Sequence, residues 1–474
     1  MPIPPTPSPF RPETALLGQT AIIDPVEAAD FPQTILRFRN DRWAKAVGLD
    51  GLSDAEWLAH FGRFAPLAGS LPQPLALRYH GHQFRSYNPD IGDGRGFTFA
   101  QLRDGAGRLL DLGTKGSGTT PYSRFGDGRL TLKGGVREVL ATEMLEALGV
   151  ETSKSFSLIE TGEALQRGDE PSPTRSSVLV RLGHGHIRIG SFQRLAWVKD
   201  AEGMRALADY ALRELYGEAP GNDPGAQLLA LTVERTARLA ASYMAAGFVH
   251  GVLNSDNINV TGESFDYGPW RFTPLWDGGF TAAYFDHQGL YAFGRQPQAI
   301  QWDVAQLALS LRQISGDEPL TEALDAFPAA YERHHIAAML GRLGVKPRGD
   351  EADLTLLQAF DRAMAEGMVE IDRAFFDWRG GRRRGDSPAD AAYATPLFTA
   401  FADLVAGYAP SVSLDHPYWA DEAPCSMHID EVEAIWARIA EDDDWSLFEA
   451  KVAAVRRMGE AHNPPLQGEV AAGG

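Results

Sequence analysis

The sequence predicts an α+β protein of two lobes, strand-rich first and helical second, with an extension at each end. Three observations carry this. Between about 75 and 195, short apolar runs at 97–102, 109–112, 178–182 and 186–189 are separated by glycine-rich turns, the texture of strands and hairpins. A single helical stretch, 135–148, interrupts them. From about 196 onward, helical periodicity dominates.

In chain order, residues 1–30 are proline-rich and read as an extended arm packed on the surface. FPQTILRFRN and DAEWLAHFGRF, within 31–70, have apolar spacings that suit short helices. The 135–148 helix places Val136, Val139, Leu140, Leu145 and Leu148 near one stripe, and Gly149 stands where it should end. A long helix over 226–246 has Leu228, Leu229, Leu231, Val233 and Leu239 on one face. It ends at Gly247 and runs into FVHGVLNSDNINV. Further helices are expected over 301–314, 353–371 and 429–438. RGGRRR at 379–384 is the main basic cluster, either a solvated loop or a contact for an acidic partner or nucleotide. The last dozen residues read as frayed. A cleft between the lobes is the expected ligand site.

Composition limits the function. With 44% hydrophobic and 23% charged residues, the chain is not a disordered one. A net charge of −19 argues against nucleic-acid binding, so any phosphate site must rest on a local cluster of cations. Cys425 is the one cysteine, so no intramolecular disulfide forms, which fits a reducing compartment. The first ten residues have no basic segment before an apolar run, and no run approaches a membrane span. The expectation is a soluble, cytoplasmic protein with no membrane partner, a monomer by default. Cys425, His416 and His428 are too few for a zinc site.

Four groups of residues carry chemistry. Gly92, Gly94 and Gly96 flank Asp93 and Arg95, so backbone N–H groups here are free to approach phosphate; such turns also close ordinary hairpins. Lys115 follows a strand-like run 20 residues after Arg95. A lysine there is how kinases bring an ammonium to phosphates, held by a glutamate of the small lobe's helix. Glu138 is that glutamate, with Arg137 and Glu143 as rivals. Third, His250 and Asn257 are seven apart after a long helix, and Asp266-Tyr267-Gly268 begins nine residues later. This is the kinase pattern H-R-D-L-x-x-x-N followed by D-F-G, and makes Asn257 and Asp266 ligands for a hard cation. The kinase base position is Val252, yet a carboxylate stands at Asp256. Either the base is lost, as in a dead kinase relative, or it has moved to Asp256, and spacing alone leaves open which phosphorus is attacked. Fourth, Arg181 and Arg188, read as two strands of a hairpin joined near 184–186, form a clamp for polyphosphate or surface ion pairs.

With these residues in view, the chain resembles the selenoprotein O family, kinase-like protein adenylyltransferases. The matching segments are YHGHQF at 79–84, DIGDGRGF at 90–97, the long run 112–140, VLVRLGHGHIRIGSFQ at 178–193, HGVLNSDNINV at 250–260 and FDYGPW at 265–270. Similarity weakens but persists through QPQAIQWDVAQLALSL at 296–311. The resemblance implies ATP bound flipped relative to kinases and AMP transfer to Ser, Thr or Tyr side chains of proteins, self-AMPylation included, with pyrophosphate leaving. It implies nucleotide contacts at Gly92, Gly94, Arg95, Lys115, Asp127, Gly128, Arg181, Arg188 and Asp266. It implies Asp256 as base, Asn257 and Asp266 as ligands of Mg2+ or Mn2+, and Glu138 as the partner of Lys115. Many members carry a selenocysteine or cysteine near the C-terminus, whereas this sequence ends PPLQGEVAAGG, so redox control would need an intermolecular partner for Cys425.

The organisation expected is an N-terminal extension (1–75), a kinase-like nucleotide-binding lobe (76–195), a helical lobe with catalytic loop and metal site (196–400) and a C-terminal helical extension (401–474). Two other functions are weighed against AMP transfer: a non-catalytic nucleotide-binding pseudokinase scaffold, and a phosphotransferase moving the γ-phosphate.

Overall fold

A computed structural model describes residues 7–168 and 170–462. The frayed end expected at the last dozen residues lies outside them. The first lobe is built on a nine-stranded sheet. From one edge its order is Ile23–Pro25, Leu75–Leu77, Thr98–Arg103, Leu109–Lys115, Thr174–Gly183, Lys154–Leu165 and Ile35–Arg39. The pairings along this path are antiparallel. Pro12–Glu13 adds to Thr98–Arg103, and Leu130–Thr131 to Thr174–Gly183.

Two early expectations are corrected here. Residues 7–30 are more than an arm laid on the surface: Pro12–Glu13 and Ile23–Pro25 are sheet strands, with Leu16, Ile22 and Ile23 buried. FPQTILRFRN is not helical either. Ile35–Arg39 pairs with Lys154–Leu165; Arg37 is held by Glu160 of that strand at 2.7 Å, and Arg39 lies over the Trp57 ring of the helix Asp54–Phe61. A strand partner far away in sequence overrides local propensity.

The lobe's long helix, Leu132–Ala147, has Thr131 as N-cap, its side chain accepting from the Gly134 N–H. Gly149 follows it at φ +83°, the left-handed turn a C-terminal glycine supplies. One face packs on the sheet and the other on the C-terminal helix Ser446–His462. Arg456 from that helix makes a two-pronged ion pair with the buried Glu143.

Pro224–Ala246 is the axis of the helical lobe. Asp223 caps its start and Pro224 opens the first turn. Gly247, at φ +67°, ends it, and the chain turns into Phe248–Val249, paired with Arg271–Phe272. Gln296–Leu311 and Phe327–Leu343 pack against this axis. The arrangement is a two-lobed kinase-like fold, resting on the curled sheet with its one long helix and the helical second lobe.

RGGRRR is a solvated loop only in part. Arg379 is buried, donates to the carbonyls of Gly341, Arg342 and His462, and lies over Trp419. Arg384 covers the ring of Phe376 at 3.9 Å. Arg379 and Arg384 are internal struts that bind helix ends, whereas Arg382 is exposed and Arg383 pairs with Asp390.

Candidate active site

A cleft of about 680 Å³ opens where the lobes meet. The glycine loop, Lys115, the 122–129 loop, Arg181, Arg188, Asp256 and Asp266 line it together. Close packing accounts for two of the glycines. A Cβ at Gly92 would come within 2.5 Å of the Tyr122 ring, and one at Gly96 within 2.1 Å of the Thr114 carbonyl oxygen. The 114–123 chain therefore folds directly over the glycine loop, with the Gly116 N–H donating to the Arg95 carbonyl at 2.7 Å. Asp127 and Gly128 reach the same cleft from this overlying loop, Asp127 paired with Arg167 at 2.7 Å.

The cations converge from three elements. Lys115 is the last residue of its strand and pairs with Glu138 on Leu132–Ala147. Both are buried. Glu143, one rival, is instead held by Arg456; Arg137, the other, donates to the carbonyls of Gly268 and Trp270. Lys115 Nζ also lies 2.7 Å from Asp266 Oδ1, and Arg181 Nη1 lies 3.4 Å from the same oxygen.

Arg188 pairs with Asp93 at 3.2 Å and stacks over Tyr79 and Phe265, while Arg181 also lies over Phe265. The two arginines do meet, but not across a hairpin. After Gly185 (φ +80°), residues 186–189 form no strand: Arg188 makes a single bridge to Asn259, and Ile189–Trp197 is a helix. The hairpin partner of Thr174–Gly183 is Lys154–Leu165, the strand before it. Burial pushes the Asp266 carboxyl up, but Lys115, Arg181, Arg95 and Arg188 outweigh it and hold it well below the usual carboxylate range.

The 250–257 loop is anchored at its start, through the backbone and the ring of His250. The His250 N–H donates to Gln296 Oε1 at 3.0 Å, and its Nε2 meets the Phe265 carbonyl at 3.1 Å, tying the loop to the segment before Asp266. Burial lowers the affinity of His250 for a proton, which suits a neutral structural imidazole. Asp256 is buried, its Oδ1 without a hydrogen-bond partner among the described residues. Burial pushes its carboxyl up to about 6, with Arg188 opposing.

Sequence reasoning missed what YHGHQF does. A Cβ on Gly81 would come within 2.7 Å of Asp256 Oδ1, so the missing side chain is what lets this strand lie against Asp256. The His82 N–H donates to Ser255 Oγ at 2.7 Å, and the Phe84 N–H to Asn254 Oδ1 at 3.0 Å. Gln193 joins Ser255 to His82. The segment is a brace for the 250–257 loop. The signal available was the unusual run itself, with a glycine between two histidines.

The donor set suits a hard divalent cation. The Asn257 side-chain N–H donates to the Val252 carbonyl at 3.0 Å, a bond that does not use its Oδ1. Asp266 is held as an anion by the cations around it. Amide and carboxylate oxygens are the ligands that Mg2+ and Mn2+ take. Among the described residues, no group of three or more His, Cys, Asp or Glu is placed to hold a metal, so these two would rely on oxygens from a bound phosphate. Cys425 lies apart from the cleft, where burial raises its thiol. No helix among the described residues is long and apolar enough to cross a membrane.

Comparison with known proteins bears on this site. The family model described as protein adenylyltransferase SelO matches residues 8–387. A protein nucleotidyltransferase YdiU of Synechocystis is 42% identical over 462 residues, covering 93% of this chain and 96% of that protein. The protein of the same name from Gloeobacter violaceus is 44% identical, covering 94% and 95%. The one from Synechococcus elongatus is 50% identical over 364 residues, covering 75% and 73%. Among solved structures, the kinase domain of a Toxoplasma gondii rhoptry antigen aligns at 12% identity and a TM-score of 0.26, covering 61% of this chain and 84% of that one. So low a score adds nothing to the fold described above.

Proposed function

The chain belongs to the SelO family of protein adenylyltransferases and is a nucleotidyltransferase; on that premise we propose that it moves AMP from ATP to Ser, Thr or Tyr hydroxyls of proteins, itself included. The acceptor oxygen attacks the α-phosphorus, forming one O–P bond. The bond to the β-phosphate breaks, and pyrophosphate leaves with its electron pair. Asp256 takes the hydroxyl proton. ATP lies flipped relative to kinases, its terminal phosphates toward Arg181 and Arg188.

The observation that carries this reading is the placement of Asp256. It is a buried carboxylate on the cleft wall with an unused oxygen, while the kinase base position is Val252. A buried carboxyl with its proton affinity raised is suited to accept a proton. Lys115, Arg181, Arg188 and Arg95 supply the positive charge that a polyphosphate needs in an acidic protein. Gly92, Gly94, Asp127 and Gly128 complete the nucleotide contacts, and Glu138 fixes Lys115. Mg2+ or Mn2+, held by Asn257 and Asp266, would neutralise phosphate oxygens and ease departure of pyrophosphate.

The test compares ATP labelled at the α position with ATP labelled at the γ position, using wild type and Asp266→Ala. Label from the α position alone, lost in the variant, is expected. Label from the γ position would make the protein a phosphotransferase and overturn the mechanism. ATP binding with no transfer from either position would mark a scaffold.

A further inference from the structure

Beside Asp256 lies an exposed aromatic patch that the nucleotide site does not use. We infer that the rings of Phe84, Tyr284 and Phe285 form the docking surface for the protein acceptor, seating an apolar or aromatic side chain of a segment that carries the acceptor hydroxyl. This rests on the transfer reading above and names the surface that serves it.

The patch is continuous with the cleft. Gln83 lines the cleft together with Asp256, and the next residue, Phe84, belongs to the patch. Phe84 meets Phe285 at 5.7 Å between ring centroids, and Phe285 meets Tyr284 at 5.1 Å. Tyr284 is 82% exposed, Phe285 42% and Phe84 38%. Three contiguous rings open to solvent are costly unless a partner covers them. Asn254, two residues before Asp256, accepts from both the Phe84 N–H and the Tyr291 hydroxyl, so one side chain ties the patch to the catalytic loop.

The patch is also held rigid. Asp286 accepts from the N–H groups of Leu290 and Tyr291 at 2.8 Å, which fixes the loop carrying Tyr284 and Phe285. Phe84 and Arg85 form the two-residue turn between Gly81–Gln83 and Ser86–Asn88, at φ +49° and +62°. Such a turn favours asparagine and glycine, and two bulky residues there are strained. Strain of this kind persists where the side chains presented have a use. Rigid aromatic anchors next to a polar reacting centre are what recognition of a polypeptide requires.

The test uses a library of peptides with one Ser, Thr or Tyr acceptor and randomised flanking positions, α-labelled ATP, and divalent metal. Wild type is expected to label peptides with an apolar or aromatic residue near the acceptor at least tenfold over the rest. In the double variant Tyr284→Ser, Phe285→Ser that preference is expected to vanish and KM for the best peptide to rise at least tenfold, with ATP affinity unchanged. Phe84→Asn removes a ring while relaxing the turn, so its loss of preference cannot be ascribed to misfolding. A flat flanking profile in wild type, or a profile retained in the variants, overturns this inference alone. No α-label on any acceptor, or label only from the γ position, overturns the transfer reading and this one with it.

Discussion

Lys115 Nζ lies 2.7 Å from Asp266 Oδ1 while it also pairs with Glu138, so one ammonium bridges two carboxylates from different elements. The strand that carries Lys115 and the helix that carries Glu138 belong to the first lobe; Asp266 belongs to the loop system of the second. The contact aligns the two walls of the cleft. Asp266 takes the left-handed backbone, at φ +62°, to present its carboxylate there.

Lys115→Met removes that bridge, leaving the buried Glu138 unpaired and Asp266 with Arg181. Breaking a buried pair by deleting one partner costs about 3 kcal/mol. The expected result is a clear fall in Tm and at least a hundredfold loss of α-label transfer, read by thermal denaturation and by labelling at saturating ATP. Retention of full transfer would remove Lys115 from the nucleotide site.

Gly81→Ala tests the brace. The added methyl would meet Asp256 Oδ1 at 2.7 Å and its Cβ at 3.0 Å, so the carboxylate must move. Displacing a reacting group by a fraction of an ångström is enough to cost about tenfold or more in rate. Transfer is expected to fall by that factor while ATP affinity, measured by calorimetry, stays within twofold.

Glu263→Gln is expected to change how stability depends on pH. Burial pushes Glu263 up to about 7 from an ordinary 4.5, with Lys154 opposing. The folded protein thus keeps this proton to higher pH than the unfolded chain does. The stability it contributes is complete below about 4.5 and is lost as pH rises through 7. An amide can still accept from the His184 N–H as Glu263 Oε1 does, and carries no charge. The variant should gain about 2 kcal/mol relative to wild type between pH 5 and pH 8, visible as a flatter plot of Tm against pH. Parallel plots for the two proteins would refute the assignment.

Arg379→Met tests whether the basic cluster is structural. Three hydrogen bonds to carbonyls and a stacked tryptophan are lost, two of the carbonyls at the end of Phe327–Leu343. The expected cost is about 2–4 kcal/mol of stability, with ATP affinity unchanged. A fall in ATP affinity at unchanged Tm would instead place the cluster in ligand binding.

The site was more legible than the scaffold around it. Lys115, Glu138 and Asp266 were found because kinase-like chemistry fixes both residue type and spacing, and these three do meet. Arg181 and Arg188 do line one cleft, but not as two strands of a hairpin. Gly185 and the bridge from Arg188 to Asn259 end the expected hairpin, and neither leaves a local pattern. Ile35–Arg39 was misread because its strand character comes from Lys154–Leu165, over a hundred residues away. Arg379 and Arg384 of RGGRRR were misread because arginine buries well when its donors meet helix-end carbonyls and its plane meets a ring, and composition reports neither. Gly81 carried no signal alone, since its importance lies in what stands 2.7 Å from a side chain it does not have.

The clamp on Leu132–Ala147 has a consequence for control. The sheet holds one face, and Ser446–His462 holds the other through Arg456 and Glu143, with Lys133 tied to Glu433 and Arg42 to Glu146. Swinging this helix outward, the motion that would withdraw Glu138 from Lys115, would break those ion pairs and wet two packed faces at once. The contacts that build the fold are thus the ones that keep Glu138 on Lys115, much as a hinge pinned on both sides holds a door at one angle.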